Sequence, residues 1–201
     1  MAVSPENGRG KISVYYGPMF SEKTLRLTEA YGEGVGAAVF RPKIDNRYGG
    51  GPWIHSLAGA KVPAVEIEHL NPIEIYQAIQ QMEGIRRVII DEASFFPTQP
   101  FLEVVEKLAS EEREVVVGGL AYDAERQPWG PILELIKKPG VESYALAARC
   151  DGDGGKCREF AIWSYAKAKK KTRLEVGGVD KYGASCEKHY LELHVPGADG
   201  G

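Results

Sequence analysis

No apolar run among the 201 residues approaches the roughly 20 needed to cross a bilayer, and the opening MAVSPENGRG has no apolar core of the signal-peptide kind. A membrane-embedded or secreted protein is therefore not expected; a cytoplasmic one is. Cysteine is scarce and odd in number, three residues all at or beyond position 150, which argues against a disulfide framework. Charge of one sign is also lacking. The net −3 gives no general field for polyanions, so a nucleic-acid role would need a local basic patch. Internal repeats are missing, and only the lysine-rich run from Lys167 to Arg173 is compositionally biased. What remains, 43% apolar and 26% charged residues, describes a globular chain of one domain with an appendage.

The most informative stretch is Lys11–Thr24, KISVYYGPMFSEKT. An apolar, β-branched and aromatic run from Ile12 to Tyr16 breaks at Gly17-Pro18, and a helix-compatible segment starts near Ser21. Strand, glycine-opened loop, then Lys23-Thr24 at a helix start is the layout of a phosphate cradle. The pattern G-x-x-x-x-G-K-[ST] is met except at Glu22, where a second glycine belongs. Glycine there often takes a backbone conformation that Glu adopts only at about 1–3 kcal/mol of strain. The alternative is an ordinary helix start, with Ser21 as N-cap and Glu22 in the first turn.

Up to about residue 149 strands and helices alternate, which predicts an α/β unit over 11–149 with a mostly parallel sheet covered on both faces. Strands are expected at Ala37–Phe40, Val62–Ile67, Arg87–Ile90, Glu114–Val117 and Ser143–Ala148. Helices are expected from Leu25 to Tyr31, ending at Gly32 and Gly34, after Asn71-Pro72 with Asn71 as N-cap, over Phe101–Leu108 and over Pro131–Lys137. Lys43–Ser56, with three consecutive glycines, reads as a mobile surface loop. Residues 1–10 and 195–201 read as disordered ends. From 150 to 194 the chain is too poor in apolar residues for a large core and reads as a small satellite unit.

Asp91-Glu92 ends the apolar run of the Arg87–Ile90 strand. In a nucleotide-binding sheet the first acid would hold Mg²⁺ and the second could accept a proton; alternatively the pair caps the following turn. Cys150, Cys157, Cys186 and His189 form two pairs about 30 residues apart, a donor set for structural Zn²⁺, the other reading being buried thiols and a surface histidine. Asp45 and Arg47 lie in the glycine-rich loop and could close over phosphates or simply face water. The lysine run is a solvated loop or a contact to phosphate or nucleic acid, and His55, His69 and His194 read as surface residues.

With GPMFSEKT (17–24), DNRY (45–48), IDEASFF (90–96), PWG (128–130), the cysteine pairs and GGVDKY (177–182) in this order, the chain resembles the type II thymidine kinases over roughly residues 11–194. The resemblance implies a RecA-like P-loop domain with a small zinc domain whose lasso closes over the base. It implies transfer of the ATP γ-phosphate to the 5′-hydroxyl of thymidine. It places ATP on Gly17, Pro18, Met19, Phe20, Ser21, Glu22, Lys23 and Thr24, with Mg²⁺ near Asp91, Glu92 as general base, and Arg47 with Asp45 near the transferring phosphate. Met19, Phe95, Leu120, Ser164 and Trp129 would line the nucleoside pocket, and Val176, Gly177, Gly178 and Tyr182 would belong to the lasso. Homotetramers and inhibition by the triphosphate end-product are further implications. The chain departs from the family at Glu22, in the wider Cys150–Cys157 spacing, at Ala124 in place of an aromatic, and at Ala121 in place of an acid. Ala124 leaves room for a bulkier pyrimidine or weakens stacking on thymidine. Glu22 opens a second reading, a catalytically weakened relative kept for nucleotide binding or regulation. A zinc-ribbon nucleic-acid binder is a third.

Overall fold

The computed structural model describes residues 8–32, 36–45, 51–168 and 176–194. In chain order, β1 (Ile12–Tyr16) leads through the glycine loop into α1 (Lys23–Tyr31), and β2 (Ala37–Pro42) follows. A hairpin of β3 (Trp53–His55) and β4 (Lys61–Pro63) precedes β5 (Val65–Ile67), α2 (Ile73–Gln80) and β6 (Arg87–Ile90). A single 3-10 turn (Ala93–Phe95), α3 (Thr98–Ser110), β7 (Glu114–Gly119), α4 (Ile132–Leu135) and β8 (Val141–Ala145) complete the first part.

Six strands form one sheet in the order β5-β2-β6-β7-β1-β8. Every pairing in it is parallel, as the continuous apolar runs predict, because strands buried on both faces cannot alternate apolar with polar. On one face Val88 and Ile90 of β6 and Val115 and Val117 of β7 pack with Ile75 and Ile79 of α2 and Phe101, Val105 and Leu108 of α3. On the other, Ile89 and Val116 meet Leu27 of α1, Ile54 of β3 and Val62 of β4. Each such fully buried aliphatic side chain contributes about 1.5–3 kcal/mol. All six strands point the same way, so the segments after β1, β6 and β7 emerge at one edge of the sheet, where open α/β folds hold ligands.

From residue 148 the elements shrink. β9 (Ala148–Arg149) is followed by α5 (Gly152–Gly155), a single kinked turn, and pairs antiparallel with β10 (Phe160–Ala161). β11 (Trp163–Ala166) pairs antiparallel with β12 (Tyr182–Ser185), and α6 (Glu187–His194) ends the described chain. Its buried centre is Ala148, Cys150, Ala161, Ala184 and Cys186, small side chains that bury little apolar area.

Several boundaries differ from the sequence expectations. Ser21 is not the N-cap: its hydroxyl donates to Pro18 O at 2.8 Å, and the cap position falls on Glu22. The second cap likewise shifts from Asn71 to Pro72, and the Asn71 side chain donates to Glu74 instead. Val62–Ile67 is two strands in different sheets, broken at the buried Ala64. Ser143–Ala148 also splits, between an exposed edge strand and the first strand of the small unit. The end of the expected loop Lys43–Ser56 is strand β3, a part short enough that no periodicity could develop. Arg9 and Gly10 are pinned to α3, Gly10 N–H donating to Ala109 O at 2.8 Å. Gly34, Arg47 and the 195–201 tail lie outside the described residues.

Candidate active site and metal centre

The loop after β1 turns sharply because backbone meets backbone there. A Cβ on Gly17 would sit 2.2 Å from Leu146 O, so only glycine fits. Phe20 and Glu22 then take left-handed backbone, with φ of 65° and 61°. The motif position that prefers glycine is therefore left-handed here, and Glu22 occupies it with its side chain exposed. Lys23 is buried at the first position of α1; its Nζ donates to Pro18 O at 2.6 Å and Gly17 O at 3.2 Å, holding the loop around its ammonium. One residue on, Thr24 Oγ1 donates to Asp91 Oδ2 at 3.0 Å. The other Asp91 oxygen accepts from Glu92 N–H at 2.8 Å. Asp91 and Glu92, from the end of β6, are 5% and 7% exposed, and Glu92 is left-handed with φ 52°. Strained residues cluster where a site over-determines its backbone.

Glu22, Lys23, Thr24 and Glu92 line an open cleft with Met19, Phe20, Ser21, Leu25, His55, Leu57 and Leu120. The sequence predicts His55 on the surface; the β3–β4 hairpin brings it into the lining of this cleft. Asp45 is buried, and its carbonyl accepts from the guanidinium of Arg41, which also donates to Trp53 O at 2.8 Å. Arg41 thus ties both ends of the glycine-rich segment to β2, a role no motif announced.

Beside the loop lies an apolar cluster. Met19, Leu120, Ala124 and Tyr182 form its buried centre, with Phe20, Trp129 and Ala166 against it. Phe95 meets Trp129 edge to face at 5.0 Å. Ser94 both donates to Leu120 O (2.9 Å) and accepts from Leu120 N–H (2.6 Å), fixing the end of β7 to the turn after β6. Ser164 Oγ accepts from Met19 N–H at 2.9 Å, joining the glycine loop to β11. Gly178 O accepts from Tyr182 N–H at 3.0 Å, which folds Gly177, Gly178 and their neighbours into a turn before β12; Val176 O accepts from Lys181 Nζ at 3.0 Å.

Cys150, Cys157, Cys186 and His189 converge, their ligand atoms all within 4.8 Å of one another. His189 Nδ1 is 3.4 Å from Cys150 Sγ and 3.2 Å from Cys186 Sγ. A tetrahedral Zn²⁺ holds sulfur and nitrogen donors about 3.5–3.8 Å apart, so three thiols and one imidazole at these separations fit it. All three thiols are free. Backbone N–H groups of Gly152 and Cys186 point at Cys150 Sγ at 3.4 and 3.2 Å. Next to this cluster, burial and the neighbouring Asp151 carboxylate push the Tyr165 phenol up to about 12.

The two parts of the chain are clamped by Arg126, which sequence inspection passed over. Asp123 Oδ1 accepts from the N–H groups of Glu125 and Gln127, forming a turn that sets Arg126 in left-handed backbone. Its guanidinium lies 3.8 Å from the Tyr190 ring centroid and 4.3 Å from that of Trp163. Glu187 accepts from Arg126 at 2.8 Å and from the Trp163 indole at 2.6 Å, and these bonds hold its carboxyl below the usual value. Two cation–π contacts at about 0.5–2 kcal/mol each make this a substantial joint. Arg126→Ala should lower unfolding free energy by about 1–3 kcal/mol in urea titration, whereas Arg126→Lys should recover only part of it. An unchanged midpoint for the alanine variant would remove the clamp from consideration.

The family model described as thymidine kinase matches residues 10–190. The chain is 30% identical over 196 residues to a thymidine kinase of Oryza sativa subsp. japonica, covering 92% of this chain and 68% of the relative. It is 31% identical over 191 residues to the thymidine kinase of Variola virus, covering 91% of this chain and 98% of the relative. The Vaccinia virus (strain Western Reserve) thymidine kinase gives the same identity and the same coverage.

Proposed function

The chain belongs to the thymidine kinase family, and from that premise we propose that it transfers the γ-phosphate of ATP to the 5′-hydroxyl of thymidine or a related pyrimidine deoxynucleoside. One observation carries the reading: Lys23, Thr24 and Glu92 line one cleft with Met19, Phe20 and Leu120 of the apolar cluster, and Thr24 is hydrogen-bonded to Asp91 at 3.0 Å.

In this reading the loop from Gly17 to Thr24 wraps the β- and γ-phosphates with the N–H groups from Phe20 to Thr24 and the Lys23 ammonium, Pro18 having no N–H and the Met19 N–H going to Ser164. Thr24 and Asp91 would hold Mg²⁺, which would neutralise the charge that develops on the phosphates. Glu92 accepts the proton of the attacking 5′-hydroxyl. Asp45 and Arg47 act beside the transferring phosphate, and His55 offers a further donor from the opposite wall. Met19, Phe95, Leu120, Trp129, Ser164 and Tyr182 enclose the base, with main-chain groups of Val176, Gly177 and Gly178 at its edge. Ala124 belongs to that cluster, a small side chain where an aromatic one would be bulkier, and on this reading a base larger at its 5-position is accepted. Among the described residues no helix is long and apolar enough to cross a membrane. A cytoplasmic homotetramer completes the proposal, with size-exclusion chromatography as its check.

The test is ATP-dependent phosphorylation of thymidine, 5-substituted analogues and other nucleosides by the purified zinc-loaded protein, with and without Mg²⁺. Phosphate transfer to pyrimidine deoxynucleosides supports the proposal; no transfer to any nucleoside sinks it.

The left-handed Glu22 favours a second reading, a weakened kinase kept for nucleotide binding. Glu22→Gly should stabilise the fold by about 1–2 kcal/mol, since glycine takes φ 61° without the Cβ penalty. Because the carboxylate is exposed, the active reading expects less than about a tenfold rise in kcat/KM, equivalent to about 1.4 kcal/mol. A larger rise, from near-zero parent turnover, gives the answer to the weakened reading.

A further inference from the structure

Cys150 and Cys157 are separated by the residues DGDGGK, and that segment does more than bridge two ligands. It folds back over the imidazole of His189. A Cβ built on Gly152 would lie 2.4 Å from the ring Cγ and Nδ1 and 2.7 Å from Cδ2, so the main chain rests directly on the ring face. The next residue, Asp153, takes φ 54° and ψ 36°, an unusual backbone for a side chain with a Cβ. In that conformation Asp153 Oδ2 stands 3.3 Å from His189 Nε2.

The two imidazole nitrogens therefore have different surroundings. Nδ1 faces the sulfurs of Cys150 and Cys186 at 3.4 and 3.2 Å. Nε2 is buried and makes no hydrogen bond of good geometry, although a carboxylate stands beside it. A metal on Nδ1 leaves the ring proton on Nε2, and a buried N–H needs an acceptor. Two carboxylates are near: Asp153 at 3.3 Å and Glu192, one turn along α6, at 3.7 Å. Asp153 is the nearer, and its position depends on the strained turn that Gly152 permits.

We propose that the Cys150–Cys157 insertion is a histidine-orienting device, in which Gly152 fixes the plane of the His189 ring and the Asp153 carboxylate accepts a hydrogen bond from the Nε2–H so that Nδ1 is presented to Zn²⁺. Asp153 is a positioning residue: it touches the ligand, not the ion. An anionic acceptor on the far nitrogen also makes the imidazole a stronger donor to the metal. Losing such a partner typically weakens metal binding by about 10–100-fold.

The inference rests on the zinc reading of the cluster, and equilibrium zinc competition on the full chain separates the two. A chromophoric chelator of known affinity serves as competitor, with cobalt absorption spectra as a second readout. The decisive variant is Asp153→Gly. If only backbone shape mattered, glycine would be neutral or favourable, because it takes φ 54° freely. If the carboxylate matters, zinc affinity falls by about 10–100-fold and the cobalt bands shift. Asp153→Asn, which keeps an acceptor oxygen without the charge, should recover part of the loss. Gly152→Ala should displace the ring and weaken zinc as well, and Glu192→Gln should stay within about twofold of the parent. Zinc affinity of Asp153→Gly equal to the parent's, or a loss confined to Glu192→Gln, overturns the device while leaving the zinc site standing. A parent chain that takes up no zinc overturns both.

Discussion

Glu92→Gln is expected to cut kcat for nucleoside phosphorylation by about 10²–10⁴-fold, the usual worth of a positioned general base. The amide keeps the shape of the side chain but cannot take the 5′-hydroxyl proton. Nucleotide binding should survive, because Lys23 still sits inside its loop and the Thr24–Asp91 bond does not involve the Glu92 side chain. The Glu92 main-chain N–H also continues to support Asp91 at 2.8 Å, so the neighbouring carboxylate keeps its orientation. A steady-state assay paired with ADP titration calorimetry separates the two effects. A variant with more than a fifth of parental turnover shows that another group takes the proton.

Removing the metal cluster should abolish nucleoside binding while sparing the nucleotide loop. Cys186 directly follows β12, and β12 begins at Tyr182, a member of the apolar cluster beside the glycine loop. β12 is registered on β11, with Ser164 opposite Ala184, and Ser164 in turn accepts from Met19 N–H. The small unit's own buried centre consists of alanines and cysteines, which cannot supply much burial energy. Structural zinc supplies about 10–16 kcal/mol in small finger peptides, far above what those side chains replace. Cys186→Ser, or prolonged chelation of the parent, is thus expected to lower the melting temperature and eliminate thymidine binding by calorimetry. Far-ultraviolet dichroism should change little, because the six-stranded sheet has a separate core on each face. Intact thymidine affinity in metal-free protein would show that β11 and β12 hold without the ion.

Much of the architecture is legible in the sequence because its signals are local. Continuous runs such as Val88-Ile89-Ile90 announce a strand buried on both sides, and Gly17 with Lys23-Thr24 announces the turn into α1. Cys186 and His189, three residues apart on the turn into α6, announce a ligand pair. What was missed depends on contacts distant along the chain. Arg126 looks like any loop cation until Trp163 and Tyr190 arrive on either side of it. His55 looks like a surface residue until the hairpin folds across the sheet edge. Arg41 looks like a polar lapse in a strand, yet it fastens both ends of the glycine-rich segment. Ala64 illustrates a different limit. A single residue between β4 and β5 sends the chain from a hairpin into the main sheet, and no propensity marks such a change of partner.

Met19 carries two duties at once. Its side chain belongs to the apolar cluster, its amide is spent on Ser164, and the next residues curl toward Lys23. On the proposed function, the binding places for a nucleoside and for a triphosphate would therefore not be neighbours that merely touch; they would own a residue in common. Whatever free energy one occupant exerts through that shared amino acid, the other must return in equal measure. The order in which two substrates arrive cannot change the stability of the ternary complex, only which of them meets a loop already set.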